Sequence, residues 1–244
     1  MDKAGYSAYN RAFSKLGCLM RHWTQLGEAA IPDTDQSLIL FKGKDDFFIK
    51  ISTGYELMST RAHGSEDALG SIPCKRLRKP ESAKVLIGGL GMGFTLAAVL
   101  ASVGSKAEVT VAELIPEVVE WNRGPLGEFN GNSLDDPRTH IHIGDVAILL
   151  RKSQACFDVI ALDVDNGPAG LMKSANDWLY TMPGIAAAQG ALSPTGILAY
   201  WAADPDQAFH DRLRRCGFLI EEITVFAFGK KGPRHTIWLA SLDG

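Results

Sequence analysis

A glycine-rich loop is the feature that most constrains how this chain can fold. The short apolar run Val85-Leu86-Ile87 leads into Gly88-Gly89-Leu90-Gly91-Met92-Gly93, which holds four glycines within six residues. A segment rich in Ala, Leu and Val follows from Thr95 to Ser102, so the pattern predicts a strand, a tight turn and a helix. Glycine permits positive φ and close approach of a ligand, and the first turn of a helix offers unpaired N–H groups. The loop therefore favours a nucleotide site, with an ordinary glycine-rich turn as the alternative.

Length and charge narrow the function classes. A chain of 244 residues suits one full α/β domain with a small extension, or two modest domains. The net charge of −3 argues against a dedicated nucleic-acid binder, and the basic clusters 75–79 and 230–234 are interpreted as surface loops. The four cysteines are widely spaced, which indicates free thiols in a cytoplasmic protein and no zinc site. Neither a membrane span nor a secretory signal is predicted.

The first part of the chain predicts a small β-domain. Spaced apolar residues from Tyr6 to Leu26 suggest an amphipathic helix, interpreted as a packing arm or dimer contact. Three short strand-like runs then predict an antiparallel meander: Ser37–Phe41, Phe47–Ile51 and Tyr55–Ser59. A boundary is placed between residues 71 and 80, which gives an arm with a small β-domain over residues 1–75 and a second domain over residues 76–244.

The second part predicts a doubly wound α/β sheet of the Rossmann-like type. Strands and helices alternate from Val85 onwards, and seven strands are predicted in all. The last two, Phe218–Phe228 and His235–Leu242, are joined by a loop too short for a crossover helix, so this pair should be antiparallel.

Acidic residues stand where three successive strands of this sheet end. Glu113 ends the second strand, Asp145 follows the third, and Asp163 ends the fourth. Ligands bind at the carboxyl ends of strands in open α/β sheets, so these acids should meet the same ligand as the glycine loop. Glu113 suits the two hydroxyls of a ribose, with a surface carboxylate that caps the next helix as the alternative. Asp145 suits an adenine amino group, and it can also cap the next helix.

The glycine spacing separates possible nucleotides. Phe94 stands where a dinucleotide-binding loop needs its third glycine, and no G-x-x-x-x-G-K-[ST] sequence is present. The G-x-G-x-G loop, the acids that end strands two and three, and the antiparallel final pair favour an adenosyl-sulfonium ligand.

From about Asp35 to Leu242 the chain resembles the spermidine-synthase-like group of the S-adenosylmethionine-dependent methyltransferase superfamily, which contains the polyamine aminopropyltransferases. The resemblance lies in the glycine loop, in the segments 111–119 and 157–169, and in the small β-domain with the helix that contains Glu66. It implies a site for S-adenosylmethionine or its decarboxylated form, no metal, a small-molecule acceptor and a homodimer. The residues that it implies as contacts of the donor are Gln36, Gly88, Gly89, Gly91, Gly93, Glu113, Leu114, Asp145, Val146 and Asp163.

The resemblance also implies an acceptor site. Asp163 matches the acid that takes a proton from the attacking amine or orients it, and Asp165 follows two residues later. One of these two carboxylates could instead only cap the turn before Gly167. The acceptor pocket would include the following side chains, for which packing or a plain loop position is the alternative: His63, Glu66, Trp178 and Tyr180.

Two departures from the family pattern bear on the reaction. Gly91 stands where aminopropyltransferases carry an acid that disfavours a ligand carboxylate, and Gly64-Ser65-Glu66 replaces their Tyr-Gln-Glu segment. We therefore expect methyl transfer from S-adenosylmethionine to a small amine or other small nucleophile, slightly ahead of aminopropyl transfer. A nucleoside-binding protein without turnover is a further alternative, and a nucleic-acid methyltransferase is the weakest.

Overall fold

The computed structural model describes residues 23–163 and 174–242. The first element group is a four-stranded antiparallel sheet in the order β1-β2-β3-β4. Its strands are β1 (Thr24–Ala30), β2 (Ser37–Lys42), β3 (Phe47–Ile51) and β4 (Glu56–Ser59). The predicted meander is confirmed as β2 to β4. The predicted helix is wrong at residues 24–26, because this segment pairs with β2 as a strand, and residues 1–22 lie outside the described residues.

Alternating side chains explain why the small sheet forms. Leu38 and Leu40 of β2 and Ile49 and Ile51 of β3 are all at most 3% exposed, and they pack in one core with the helices beside them. Strand β1 escaped prediction because its sequence Thr-Gln-Leu-Gly-Glu-Ala-Ala has a single β-branched residue, Thr24, and no aromatic residue.

The second sheet has seven strands in the order β10-β11-β9-β8-β5-β6-β7. Neighbouring strands from β9 to β7 run parallel, and β11 pairs antiparallel with both β9 and β10. The strand bounds are β5 (Lys84–Gly88), β6 (Glu108–Glu113), β7 (Thr139–Ile143), β8 (Phe157–Leu162), β9 (Leu192–Ala202), β10 (Leu219–Phe226) and β11 (Arg234–Ser241). The predicted doubly wound sheet with an antiparallel end, preceded by a small antiparallel sheet, is confirmed.

Helices cover the large sheet, and buried side chains form two clusters around it. The described α-helices are α1 (Gly64–Lys75), α2 (Phe94–Leu100), α3 (Pro116–Arg123), α4 (Val146–Lys152), α5 (Ser174–Leu179), α6 (Met182–Ala191) and α7 (Gln207–Arg215). Helix α6 begins as a new helix after α5 because Thr181 caps it with its side-chain oxygen, which accepts from Gly184 N.

Helix α1 crosses α2 at very short range. A Cβ atom added to Gly70 of α1 would lie 2.5 Å from the Thr95 carbonyl oxygen and 2.9 Å from Ala98 Cβ, both in α2. Only glycine allows this approach. The predicted domain boundary after residue 75 stays a prediction, and α1, which it assigns to the first domain, packs closely on α2 of the second.

Among the residues that the structure describes, no helix combines the length and the apolar character needed to cross a membrane.

Candidate functional site

A cavity of about 110 Å³ opens at the carboxyl ends of the parallel strands. One wall comes from the small sheet and from the loop between β1 and β2, with Ile31, Leu38 and Met58 among its lining residues. The opposite wall holds the glycine loop and the ends of β6, β7 and β8, including Glu113, Asp145 and Asp163. The strand order reverses beside β5, which has β6 on one side and β8 on the other, so the cavity lies where open α/β sheets bind ligands.

The glycine loop adopts left-handed backbone angles that other residues rarely take. The φ angles are +92° at Gly89, +53° at Gly91 and +81° at Gly93. Gly89 and Gly91 line the cavity, as predicted for donor contacts. Gly88 and Gly93 do not line it: Gly88 packs against Leu162 and Val146, while Gly93 precedes α2.

Two buried asparagines, which sequence reasoning missed, hold this loop. Asn122 of α3 donates a hydrogen bond to the Gly91 carbonyl oxygen over 2.8 Å. Asn130 donates to the Met92 carbonyl oxygen over 3.1 Å and to Asn122 Oδ1 over 2.7 Å. Their amides leave no room for a Cβ atom at Gly93, which would lie 2.6 Å from Asn130 Nδ2. Asparagines are rarely so deeply buried, but nothing in the sequence shows which ones are.

Glu113 is held by backbone N–H groups. Its Oε2 accepts from Leu90 N over 2.9 Å, and its Oε1 accepts from Ile115 N over 2.9 Å. Burial raises the pKa of Glu113, and these backbone hydrogen bonds oppose the rise. Glu113 also lines the cavity, where a ligand hydroxyl can reach its carboxylate. This geometry fits a ribose diol.

Asp145 caps a helix and also lines the cavity. Its Oδ1 accepts a hydrogen bond from Ala147 N over 2.8 Å and so caps α4. The residue also lines the cavity, together with the predicted donor contacts Leu114 and Val146.

Asp163 lies at the end of β8 and lines the cavity. Its N–H donates to the Gly88 carbonyl oxygen over 2.8 Å, which extends the pairing of β8 with β5. Thr95 Oγ1 donates to Asp163 Oδ2 over 2.8 Å. Burial raises the pKa of Asp163 to about 6, against the effect of the Thr95 hydrogen bond. The second predicted catalytic acid, Asp165, lies outside the described residues.

Glu66 is the electrostatic partner of Asp163. It lies in the first turn of α1, and its Oε2 accepts a hydrogen bond from Ser65 Oγ over 2.6 Å. Burial and the negative charge of Asp163 raise the pKa of Glu66 to about 7. The two carboxyl groups can therefore hold and release a proton near neutral pH, as general acid–base catalysis requires.

His63 adjoins this carboxyl pair without lining the cavity. Its ring stacks on Phe94 with 4.0 Å between ring centroids and 13° between planes. Its Nδ1 lies 2.8 Å from Asp67 Oδ2, and this hydrogen bond is the main reason that the pKa of His63 is raised.

The predicted acceptor residues Trp178 and Tyr180 pack away from this cavity. The Arg151 guanidinium lies 3.9 Å from the centroid of the Trp178 ring. Tyr180 packs against Tyr200 and Phe209, with 5.5 Å and 5.1 Å between ring centroids. Packing, the alternative that the sequence left open, describes both side chains in the described part of the chain.

Two further features bear on whether a donor fits. Gln36 does not line the cavity, but its buried Oε1 has no hydrogen-bond partner among the described residues, and it could accept from a ligand. A Cβ atom added at Gly91, where aminopropyltransferases carry an acid, would lie 3.3 Å from Met58 Sδ. Met58 is therefore the side chain that an acid at this position would contact. The glycine loop, Glu113 and Asp145 together fit an adenosyl group.

In the described ranges, no group of three His, Cys, Asp or Glu side chains could hold a metal ion.

Comparisons with known proteins show which family this sequence resembles. Residues 65–211 match the spermine/spermidine synthase domain. The chain is 33% identical to the polyamine aminopropyltransferase of Mycobacterium tuberculosis over 124 residues, which are 50% of this chain and 23% of that protein. It is 26% identical to putrescine N-methyltransferase 2 of Nicotiana attenuata over 205 residues, which are 78% of this chain and 53% of that protein. The chain thus spans between a quarter and about half of the length of these relatives.

Solved structures share the fold. The spermidine synthase of Thermotoga maritima superposes with a TM-score of 0.70 at 22% identity, over 90% of this chain and 72% of that one. A spermidine synthase in complex with the transition-state analogue AdoDATO also gives a TM-score of 0.70, at 24% identity over the same shares. The match to the synthase domain covers more than half of the sequence. The chain therefore belongs to the spermine/spermidine synthase family.

Proposed function

We propose that the chain transfers the aminopropyl group of decarboxylated S-adenosylmethionine to a small amine. The observation that carries this proposal is Asp163, which lines the adenosyl-type cavity at the end of β8 and is held there by a hydrogen bond from Thr95. Family membership and the aminopropyltransferase relatives favour this reaction over the methyl transfer that the sequence analysis prefers.

Three acids that line the cavity have distinct roles in this proposal. Glu113 accepts hydrogen bonds from the ribose hydroxyls, and Asp145 meets the adenine. The bound donor supplies an electrophilic carbon next to its sulfonium. Asp163 orients the acceptor amine and takes the proton that the nitrogen loses when the new C–N bond forms. Thr95 fixes the Asp163 carboxylate through its hydrogen bond of 2.8 Å.

Methyl transfer from S-adenosylmethionine is the second candidate. The specific observation in its favour is Gly91, which leaves the loop without the acid that would repel a donor carboxylate. The N-methyltransferase relative, which aligns with 78% of this chain, supports the same reaction.

Calorimetric titration with the two donors separates these candidates. Aminopropyl transfer predicts that decarboxylated S-adenosylmethionine binds at least about tenfold more tightly, which equals about 1.4 kcal/mol. Tighter binding of S-adenosylmethionine would refute it in favour of methyl transfer. Gly91→Asp should shift the preference further towards the decarboxylated donor, and its φ of +53° is one that Asp tolerates. Gly91→Asn is the matched control, since it adds similar volume without charge.

Turnover assays with putrescine, spermidine and other small amines test catalysis itself. Asp163→Asn should abolish transfer while donor binding remains. A protein that binds donor and transfers nothing to any of these amines would instead be a nucleoside-binding protein. The homodimer and the cytoplasmic location remain predictions, and light scattering of the purified protein tests the first.

A further inference from the structure

A serine connects the pair formed by Asp163 and Glu66 to the last strand, β11. Ser65 is 0% exposed, and its Oγ donates to Glu66 Oε2 over 2.6 Å. The same Oγ lies 2.8 Å from Nδ1 of His235, which stands 170 residues later on β11. A continuous line of hydrogen-bonding groups therefore runs from Glu66 to His235.

The single hydroxyl proton of Ser65 makes this connection directional. When Glu66 is ionised, Ser65 donates to it, so His235 must donate its Nδ1–H to Ser65 Oγ. When Glu66 is protonated, it can donate to Ser65 Oγ, and Ser65 then donates to a bare Nδ1. Neutral His235 carries its proton on Nε2 in that second state. The protonation of Glu66 thus determines the tautomer of His235.

The surroundings of His235 place it between the buried pair and the surface. Its ring makes an edge contact with Trp201, with 4.8 Å between ring centroids. Burial lowers the pKa of His235, and the negative charge of Asp204, an exposed residue, opposes that effect. The charged groups that act on Glu66 are Asp163 and His63. His235 is therefore mainly neutral at pH 7, as a residue that passes protons needs to be.

We propose that Ser65 and His235 form a proton outlet for the Asp163–Glu66 pair. The proposal rests on the proposed function, because a transferase that acts on an amine releases one proton in each turnover. Ser65 and His235 do not touch the reacting atoms, so both are positioning residues for proton transfer rather than catalytic residues.

The acceptor nitrogen forms its new bond to carbon as the donor's C–S bond breaks, and the proton lost by the nitrogen passes through Asp163 to Glu66. Glu66 gives a proton to Ser65 Oγ while Ser65 gives its own to His235 Nδ1, which leaves ionised Glu66 and an imidazolium. The imidazolium then releases its Nε2 proton to water on the side of Asp204. Exchange with solvent returns the ring to the Nε2–H tautomer before the next turnover.

Nitrogen-15 NMR of the full chain labelled in its histidines tests the outlet without any turnover. We expect neutral His235 to change from the Nε2–H to the Nδ1–H tautomer as pH rises through the pKa of Glu66, which is about 7. Ser65→Ala and Glu66→Gln should each abolish this change. His210, which pairs with Glu222, is the internal control, and its nitrogen-15 signals should be the same in all three proteins. The proposal would be overturned if His235 of the wild type kept one tautomer across the whole pH range. It would also be overturned if the tautomer changed in Ser65→Ala as it does in the wild type.

The kinetics of His235→Ala give a second test, which remains available if the Ser65→Ala protein folds poorly. We expect kcat to fall by about tenfold with unchanged donor affinity, and added imidazole to restore much of the loss. Ser102→Ala is the matched hydroxyl control. Ser102 lies just after α2, and its Oγ donates a local hydrogen bond to the Ala98 carbonyl oxygen. A kcat loss that imidazole does not rescue would assign His235 a purely structural role. Absence of turnover in the wild type would refute the proposed function, whereas the NMR result would still decide the outlet.

Discussion

Glu66→Gln should make the protein more stable at pH 8, although it removes a charged side chain from the site. Glu66 is half-buried in the first turn of α1, and burial together with the charge of Asp163 raises its pKa from 4.5 to about 7. The folded state therefore binds the Glu66 proton more readily than the unfolded state does. Stability from this residue is present in full below pH 4.5 and is lost as pH rises towards about 7.

The magnitude follows from the same pKa. A change from 4.5 to about 7 corresponds to about 3 kcal/mol at about 1.4 kcal/mol per pH unit. Partial exposure of Glu66 reduces this figure to about 2 kcal/mol, because solvent screens the charge. The Ser65 hydrogen bond weakens by about 0.5–1 kcal/mol when its acceptor becomes neutral. Glutamine should thus raise the free energy of unfolding at pH 8 by about 1–2 kcal/mol, and it should bring no gain near pH 4.5.

Urea unfolding at half-unit steps from pH 5 to pH 8 measures this difference. The gain of Glu66→Gln over the wild type should grow with pH. Glu120→Gln is the matched control, since Glu120 is exposed on α3 and pairs only with Arg123; its effect should stay within about 0.5 kcal/mol at every pH. A Glu66→Gln protein that is less stable than the wild type at pH 8, or a gain that does not depend on pH, would refute the reasoning.

Three further substitutions test the loop and the acid. Gly93→Ala should lower the free energy of unfolding by at least about 2 kcal/mol in urea titrations, because φ is +81° and the new Cβ would meet Asn130; a neutral effect would contradict the described loop. Asn122→Ala should cost about 2–3 kcal/mol, since the Gly91 carbonyl loses its donor, and it should weaken donor binding measured by calorimetry; unchanged binding would mean that the loop needs no such support. Thr95→Val should move the acidic limb of the kcat profile up by about one pH unit, because the pKa of Asp163 rises without its hydrogen bond; a downward move would show that a different group controls that limb.

The parts of the site that were predictable from sequence are those set by strand ends. Glu113, Asp145 and Asp163 each follow an apolar run, and the carboxyl ends of parallel strands meet at one edge, so position along the chain is enough to bring them together. The glycine loop follows the same logic, because φ values of +92° at Gly89 and +81° at Gly93 require the residue type that the sequence displays.

The parts that sequence could not provide depend on side chains brought together by tertiary packing. Asn122 supports the loop because α3 places its amide 2.8 Å from the Gly91 carbonyl oxygen, and no local pattern encodes this distance. The contact between Ser65 and His235 spans 170 residues and depends on β11 lying beside the start of α1. Trp178 and Tyr180 are a different case, because the resemblance assigns both rings to the acceptor site, whereas their described contacts are with Arg151, Tyr200 and Phe209.

The close crossing of α1 and α2 at Gly70 links the positions of the two acids, Glu66 and Asp163. Glu66 stands one turn before Gly70 on α1, and Thr95, whose hydroxyl holds Asp163, is one of the α2 residues that Gly70 touches. A single methyl group at Gly70, far smaller than any change of charge, would wedge the two helices apart and alter the distance between the two acids. The acidity of the site can thus be tuned through a residue that has no side chain and does not line the cavity.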